Sequence, residues 1–127
     1  MTPADEIWNR ACQGGGATPR AGDLALSALL LFHGLAMNGG VLHAVDCLSS
    51  AQLTDSQAGY RFFGFPSTAE LLEKAHHGST DEHDLDGIEA ALDQEYWSHI
   101  PDDSTLVARF EAHYKLNLQD YCPLTRI

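Results

Sequence analysis

The sequence predicts a compact all-α protein, a single-domain bundle of about six to seven short helices around a buried apolar helix near residues 23–37. Three observations carry that reading. Apolar residues recur at intervals of three and four, helix-starting and helix-stopping residues punctuate them, and strand-like alternation is scarce. A chain of 127 residues, 44% of them apolar, suits one domain over 1–127 with a core of its own.

Thr2 before Pro3 fits an N-cap and first helical position for a short helix reaching about Cys12, which Gly14-Gly15-Gly16 ends. Asp23 is placed to cap a second helix running to about Met37. Leu24, Leu26, Leu29, Leu30, Leu31, Phe32 and Leu35 make that helix apolar nearly all round, as a buried axis would be. Asn38-Gly39-Gly40 breaks the chain with residues that tolerate positive φ, and Val41, Leu42, Val45 and Leu48 resume at helical spacing. Thr54 opens a helix containing Tyr60, Phe62 and Phe63, stopped at Gly64-Phe65-Pro66. Ser67-Thr68-Ala69-Glu70 has the form of a capping box, and Gly78 the form of a C-terminal stop. Leu85, Ile88, Leu92 and Tyr96 then set one buried stripe on a helix from about Thr80 to His99. After Pro101, a last helix is marked by Leu106, Phe110, Tyr114 and Leu118.

Charge is the strongest functional signal. The net charge is −11, with four bases against seven acids in residues 1–74 and three against eleven in 75–127. Between Ala75 and Ala108 stand Asp81, Glu82, Asp84, Asp86, Glu89, Asp93, Glu95, Asp102 and Asp103, with no Lys or Arg. At 100° per residue, Glu82, Asp86, Glu89 and Asp93 fall within about 60° of one another, about a quarter turn from the apolar stripe. Their line would be roughly 16 Å long, about one charge per 4–5 Å, against about 3.4 Å between phosphates of one DNA strand. Carboxylates in the first turn are favoured by the helix dipole, but later like-charge pairs cost ~0.2–0.5 kcal/mol each. A row kept at that cost is expected to meet a basic protein surface. The same balance excludes direct nucleic-acid or anionic-membrane binding, which needs clustered Lys and Arg.

Reaction chemistry is hardly signalled. Glu82-x-Asp84-x-Asp86-Gly87 imitates the start of a calcium loop, but positions eight and twelve hold Glu89 and Asp93 where that loop needs an aliphatic residue and Glu. His76-His77 with His83 could ligate a transition metal, although HExxH, CxxC and an i,i+4 His pair are all missing. His33 and His43 sit among apolar residues, which suits hydrogen-bonded core histidines. No GxSxG, P-loop or dinucleotide fingerprint occurs. Cys12, Cys47 and Cys122 are scattered and odd in number, as reduced thiols would be. Met1 to Glu6 has neither the basic nor the apolar part of a secretory signal, and the run Leu24–Met37 is shorter than a bilayer span. A cytoplasmic, non-enzymatic protein without cofactor is expected.

The stretch Met37-Asn38-Gly39-Gly40-Val41-Leu42-His43-Ala44-Val45 resembles the DNA mimic protein family, small acidic all-helical bacterial proteins with an Asn-Gly-Gly turn between an apolar helix and the next. Tyr60-Arg61-Phe62-Phe63-Gly64-Phe65, the helix Leu71-Leu72-Glu73-Lys74-Ala75 and Leu92-Asp93-Gln94-Glu95-Tyr96-Trp97 follow in the family's order. The resemblance spans about residues 22–121. It implies an all-α fold, a homodimer, and a role as a DNA decoy on a transcription regulator's basic surface. The site expected for such a partner comprises Asp81, Glu82, Asp84, Asp86, Glu89, Asp93, Glu95, Asp102 and Asp103. Two rivals predict differently: an immunity or antitoxin protein would block one basic nuclease, and a His/Asp metal protein or metal-dependent enzyme would hold metal at His76, His77 and His83.

Overall fold

The computed structural model describes residues 1–78 and 85–124. Seven α-helices lie in those residues: α1 (Pro3–Ala11), α2 (Ala21–Gly39), α3 (Val41–Cys47), α4 (Ser50–Phe62), α5 (Pro66–Gly78), α6 (Leu85–His99) and α7 (Asp103–Leu116). A 3-10 turn over Leu118–Asp120 follows. No strand occurs among the described residues. The all-α expectation holds, and Thr2 caps α1 through a reciprocal bond with Asp5.

Several boundaries differ from the expected ones, each for a local reason. Helix α2 starts at Ala21, so Asp23 sits one turn in and its carboxylate accepts from the Arg20 amide at 3.0 Å. Helix α4 begins at Ser50 rather than Thr54, because Ser49 and Gln52 form the box that caps it. Helix α5 begins with Pro66, so the Ser67–Glu70 box is not formed; the Ala69 amide donates to Phe65 O instead. Of Asn38, Gly39 and Gly40, only Gly40 has positive φ, at 96°. Leu118 falls in the 3-10 turn and is exposed. The expected start of α6 near Thr80 lies outside the described residues.

Helix α2 is the axis of the bundle, packed against α1, α3 and α4. Its closest approach is to α4. A Cβ on Gly59 would come within 2.5 Å of Ala25 O, and buried Ser56 Oγ lies 3.1 Å from Ala28 O. A small residue and a short hydroxyl let two backbones meet where larger side chains would hold them apart. Burial is one-sided. Leu26, Leu29, Phe32 and Ala36 are enclosed, whereas Leu24 is 54% and Leu31 44% exposed, which corrects the expectation of burial all round. By length and composition α2 is also long and apolar enough to cross a bilayer, longer than the apolar run suggested. Here its inner side packs in the core and encloses Asp23 and His33.

Two polar assemblies fasten this core. In the first, Asp23, 1% exposed, accepts from Arg10 Nη2 at 2.7 Å and from the Arg20 and Cys122 amides. Arg10 also donates to Cys122 O at 2.8 Å, so α1, the start of α2 and the C-terminal tail meet on one carboxylate. Gly22 leaves room for the Tyr121 ring beside them. Such a pair is a weak source of net stability while intact, but removing one partner strands a buried charge. Asp23→Ala is therefore expected to lower the unfolding free energy by about 3 kcal/mol or more in urea titrations at neutral pH. An Arg10→Met/Asp23→Leu double variant should lose less than Asp23→Ala alone, and a larger loss would contradict the assignment.

Candidate functional site

Helix α6 carries the acidic signal, and its inner edge explains how a helix with crowded like charges persists. Leu92, Tyr96 and Ile100 are buried, and Ile88 is half-buried. Burying such side chains stabilises by ~1.5–3 kcal/mol each, which outweighs ~0.2–0.5 kcal/mol for the Asp86–Glu89 and Glu89–Asp93 repulsions. The α6 register is therefore set from the inside.

Tyr96 is the centre of the second polar assembly. Its hydroxyl lies 2.7 Å from Tyr60 Oη and 2.6 Å from His33 Nδ1, while His33 Nε2 lies 2.7 Å from Asp103 Oδ1. One proton arrangement satisfies every group: Tyr60 O–H donates to Tyr96, Tyr96 O–H donates to Nδ1, and Nε2–H donates to the Asp103 carboxylate. Burial pushes the Tyr60 hydroxyl well above the usual tyrosine range and raises Tyr96 too, so both remain protonated donors. The chain joins α4, α6, α2 and α7 and ends on a carboxylate that is 68% exposed. His33 thus is a hydrogen-bonded core histidine, whereas His43 is exposed on α3 and departs from that expectation.

The sequence-derived acidic residues have different surroundings. Asp86 is exposed and Glu89 half-buried, and among the described residues neither has a hydrogen-bond or ion-pair partner. Asp93 turns inward, where its Oδ1 accepts from the Val41 amide at 2.8 Å at the start of α3. Glu95 lies 3.6 Å from Lys74 Nζ across the α5–α6 contact. That surface pair is largely solvated, with the two side chains 41% and 70% exposed, and contributes little. Asp102 is exposed and caps α7 by accepting from the Thr105 amide. The Ser104 hydroxyl bond, followed by backbone amide bonds, holds its carboxyl below the ordinary value. Its contribution holds above the usual carboxylate range and fades as pH falls through the lowered value. Asp81, Glu82, His83 and Asp84 lie outside the described residues.

The Asn-Gly-Gly stretch and the acidic helix meet at Asp93. Gly40 supplies a positive φ between α2 and α3, and a Cβ there would stand 2.9 Å from Asp93 Oδ2. A glycine at the N-cap has no side chain to serve the orphan amides of α3, so a carboxylate from α6 does so. Sequence reasoning missed this role, since no local pattern links residues 41 and 93. His76 and His77 are at the end of α5, and no group of three or more His, Cys, Asp or Glu among the described residues is arranged to hold a metal.

These features define a small acidic helical protein whose α6 docks by a buried edge and carries Asp86 and Glu89 beside it. The chain belongs to the DMP19-like protein family, the DNA mimic protein family, whose model matches residues 18–124. That match contains the whole stretch, about residues 22–121, that resembles the family, and the family is not a known enzyme family. No curated protein and no solved structure matches the chain.

Asp93→Ala should cost about 1 kcal/mol of stability by loss of the α3 cap, whereas Asp86→Asn and Glu89→Gln should each lie within about 0.5 kcal/mol of the parent. Gly40→Ala combines unfavourable φ with contact against Asp93 and should cost about 1–3 kcal/mol. Urea unfolding midpoints at constant m-value check all four; equal effects from Asp86→Asn and Asp93→Ala would refute the distinction.

Proposed function

We propose that this protein is a non-enzymatic acidic decoy that occupies the basic surface of a DNA-binding regulator in the cytoplasm. The observation that carries the reading is the pairing of Asp86 and Glu89, without cationic partners among the described residues, with a helix whose adjoining apolar edge is buried. Asp86, Glu89 and Asp93 span roughly 10 Å of helix, about one carboxylate per 5 Å, close enough to a strand's phosphate spacing to engage a row of Lys and Arg. Membership of the DNA mimic family supports the same reading.

The partner-facing set extends from these residues to Glu95, Asp102 and Asp103, and upstream to Asp81, Glu82 and Asp84. Asp93 contributes one oxygen, because the other caps α3. Competition with DNA follows from charge alone, with no bond made or broken. Each Lys or Arg held by a carboxylate is withdrawn from a phosphate, and salt weakens both contacts. Specific recognition then depends on how the row is placed, and that placement is fixed by the buried edge of α6.

Affinity capture from the native cell followed by a salt gradient is expected to release a basic DNA-binding protein at moderate salt. A variant with Asp86→Asn, Glu89→Gln and Glu95→Gln should fold normally, capture less of that partner and show a shallower dependence on salt. Undiminished capture by the folded variant would refute the assignment of this face.

A further inference from the structure

We propose that the cleft between the start of α5 and α7 is an oxyanion site that takes phosphate, free or as the terminal group of a small phosphate monoester. The cleft is lined by Gly64, Phe65, Ser67, Thr68, His99 and Arg109, with a volume near 490 Å³. That size lies in the range of small-molecule sites. In a protein of net charge −11, no carboxylate lines it, and Arg109 is its one fixed charge.

The donors converge for separate reasons. Because α5 begins at Pro66 without the Ser67–Glu70 box, the Ser67 and Thr68 amides have no acceptor among the described residues; Ala69 is the first whose amide is taken. Helix α5 runs 13 residues, long enough to present a full N-terminal dipole to an anion. Thr68 is 1% exposed, lines the cleft, and its Oγ1 has no hydrogen-bond partner. A buried hydroxyl left unpaired costs free energy, so its presence needs a reason that an occupant would supply. His99 Nδ1 is likewise buried and unpartnered on the same cleft, and it donates in the Nδ1–H tautomer.

Arg109 is held at the mouth. Its guanidinium carbon lies 5.3 Å from the Phe65 ring centre, and no described carboxylate lies within ion-pairing distance of it. Gly64, at φ 83°, keeps that space open: a Cβ there would fall 2.7 Å from Arg109 Nη1. The Phe65 face fixes the fork while leaving its N–H groups unspent. The amides and the guanidinium can only donate and the hydroxyls can turn to donate, so with a fixed positive charge and no carboxylate in the lining the set suits an oxyanion better than a cation. Thr105 also lines the cleft, but its hydroxyl is turned to Asp102.

Isothermal titration of the whole chain with sodium phosphate and with glycerol phosphate, against chloride at matched ionic strength, tests the proposal. Saturable binding of either phosphate is expected, tighter for the monoester if the rest of the cleft holds its organic part and equal if the site takes free phosphate. Arg109→Gln should weaken binding about tenfold or more through loss of a charge-assisted bond, and Thr68→Val several-fold. Arg109 is exposed, so its variant should keep the parent's circular dichroism. Arg61→Gln, which changes a side chain outside the cleft lining, should bind as the parent does. Absence of saturable phosphate binding, or binding equally strong in folded Arg109→Gln, would overturn the site.

Discussion

Tyr96 is the contact on which the arrangement of this molecule depends. It is the buried residue of the acidic helix that touches the hydroxyl of Tyr60 from α4 and the ring of His33 from α2. A helix lined with carboxylates has little reason to persist in isolation, since its like charges repel and its dipole helps only near the first turn. Docking its apolar edge removes that problem, and the Tyr96 hydroxyl specifies the register, because rotating α6 by one residue would leave two buried hydroxyls and an imidazole nitrogen without partners. The charged face is thus a consequence of the core, turned outward by what is satisfied inside.

The remaining elements support that docking from different sides. Asp93 leaves the acidic row to cap α3, which ties α6 to the Gly40 joint at the end of α2. Asp103 closes the tyrosine–histidine chain from α7. At the other end of the molecule, the Arg10–Asp23 pair and the Cys122 backbone hold α1 and the tail against α2. Carboxylates therefore serve two purposes in this chain. Asp23 is spent on internal donors, Asp93 and Asp103 each give one oxygen to them, and Asp86 and Glu89 are left to solvent or a partner.

Much of the fold was legible because it rests on local signals. The Thr2-Pro3 start, the glycine stops and the three-four spacing of Leu92 and Tyr96 each report short-range physics. The misplacements came where a stronger neighbour won: Ser49 with Gln52 over Thr54, and Pro66 over Ser67. Of the acidic site, the outward angle of Asp86 and Glu89 followed from helical geometry alone. The inward turn of Asp93 did not, since its donor lies 52 residues away in sequence. Unpaired groups around Arg109 were equally invisible, because they belong to three separate segments that only tertiary packing assembles.

The decoy reading makes one demand that binding alone does not: this protein and DNA must exclude each other on the partner's surface. Fluorescence anisotropy of a labelled duplex bound to the captured regulator measures this directly, with the acidic protein titrated in at fixed salt. Anisotropy should fall to that of free duplex as the regulator is drawn away. A rise, signalling a ternary complex that still holds the DNA, would contradict it.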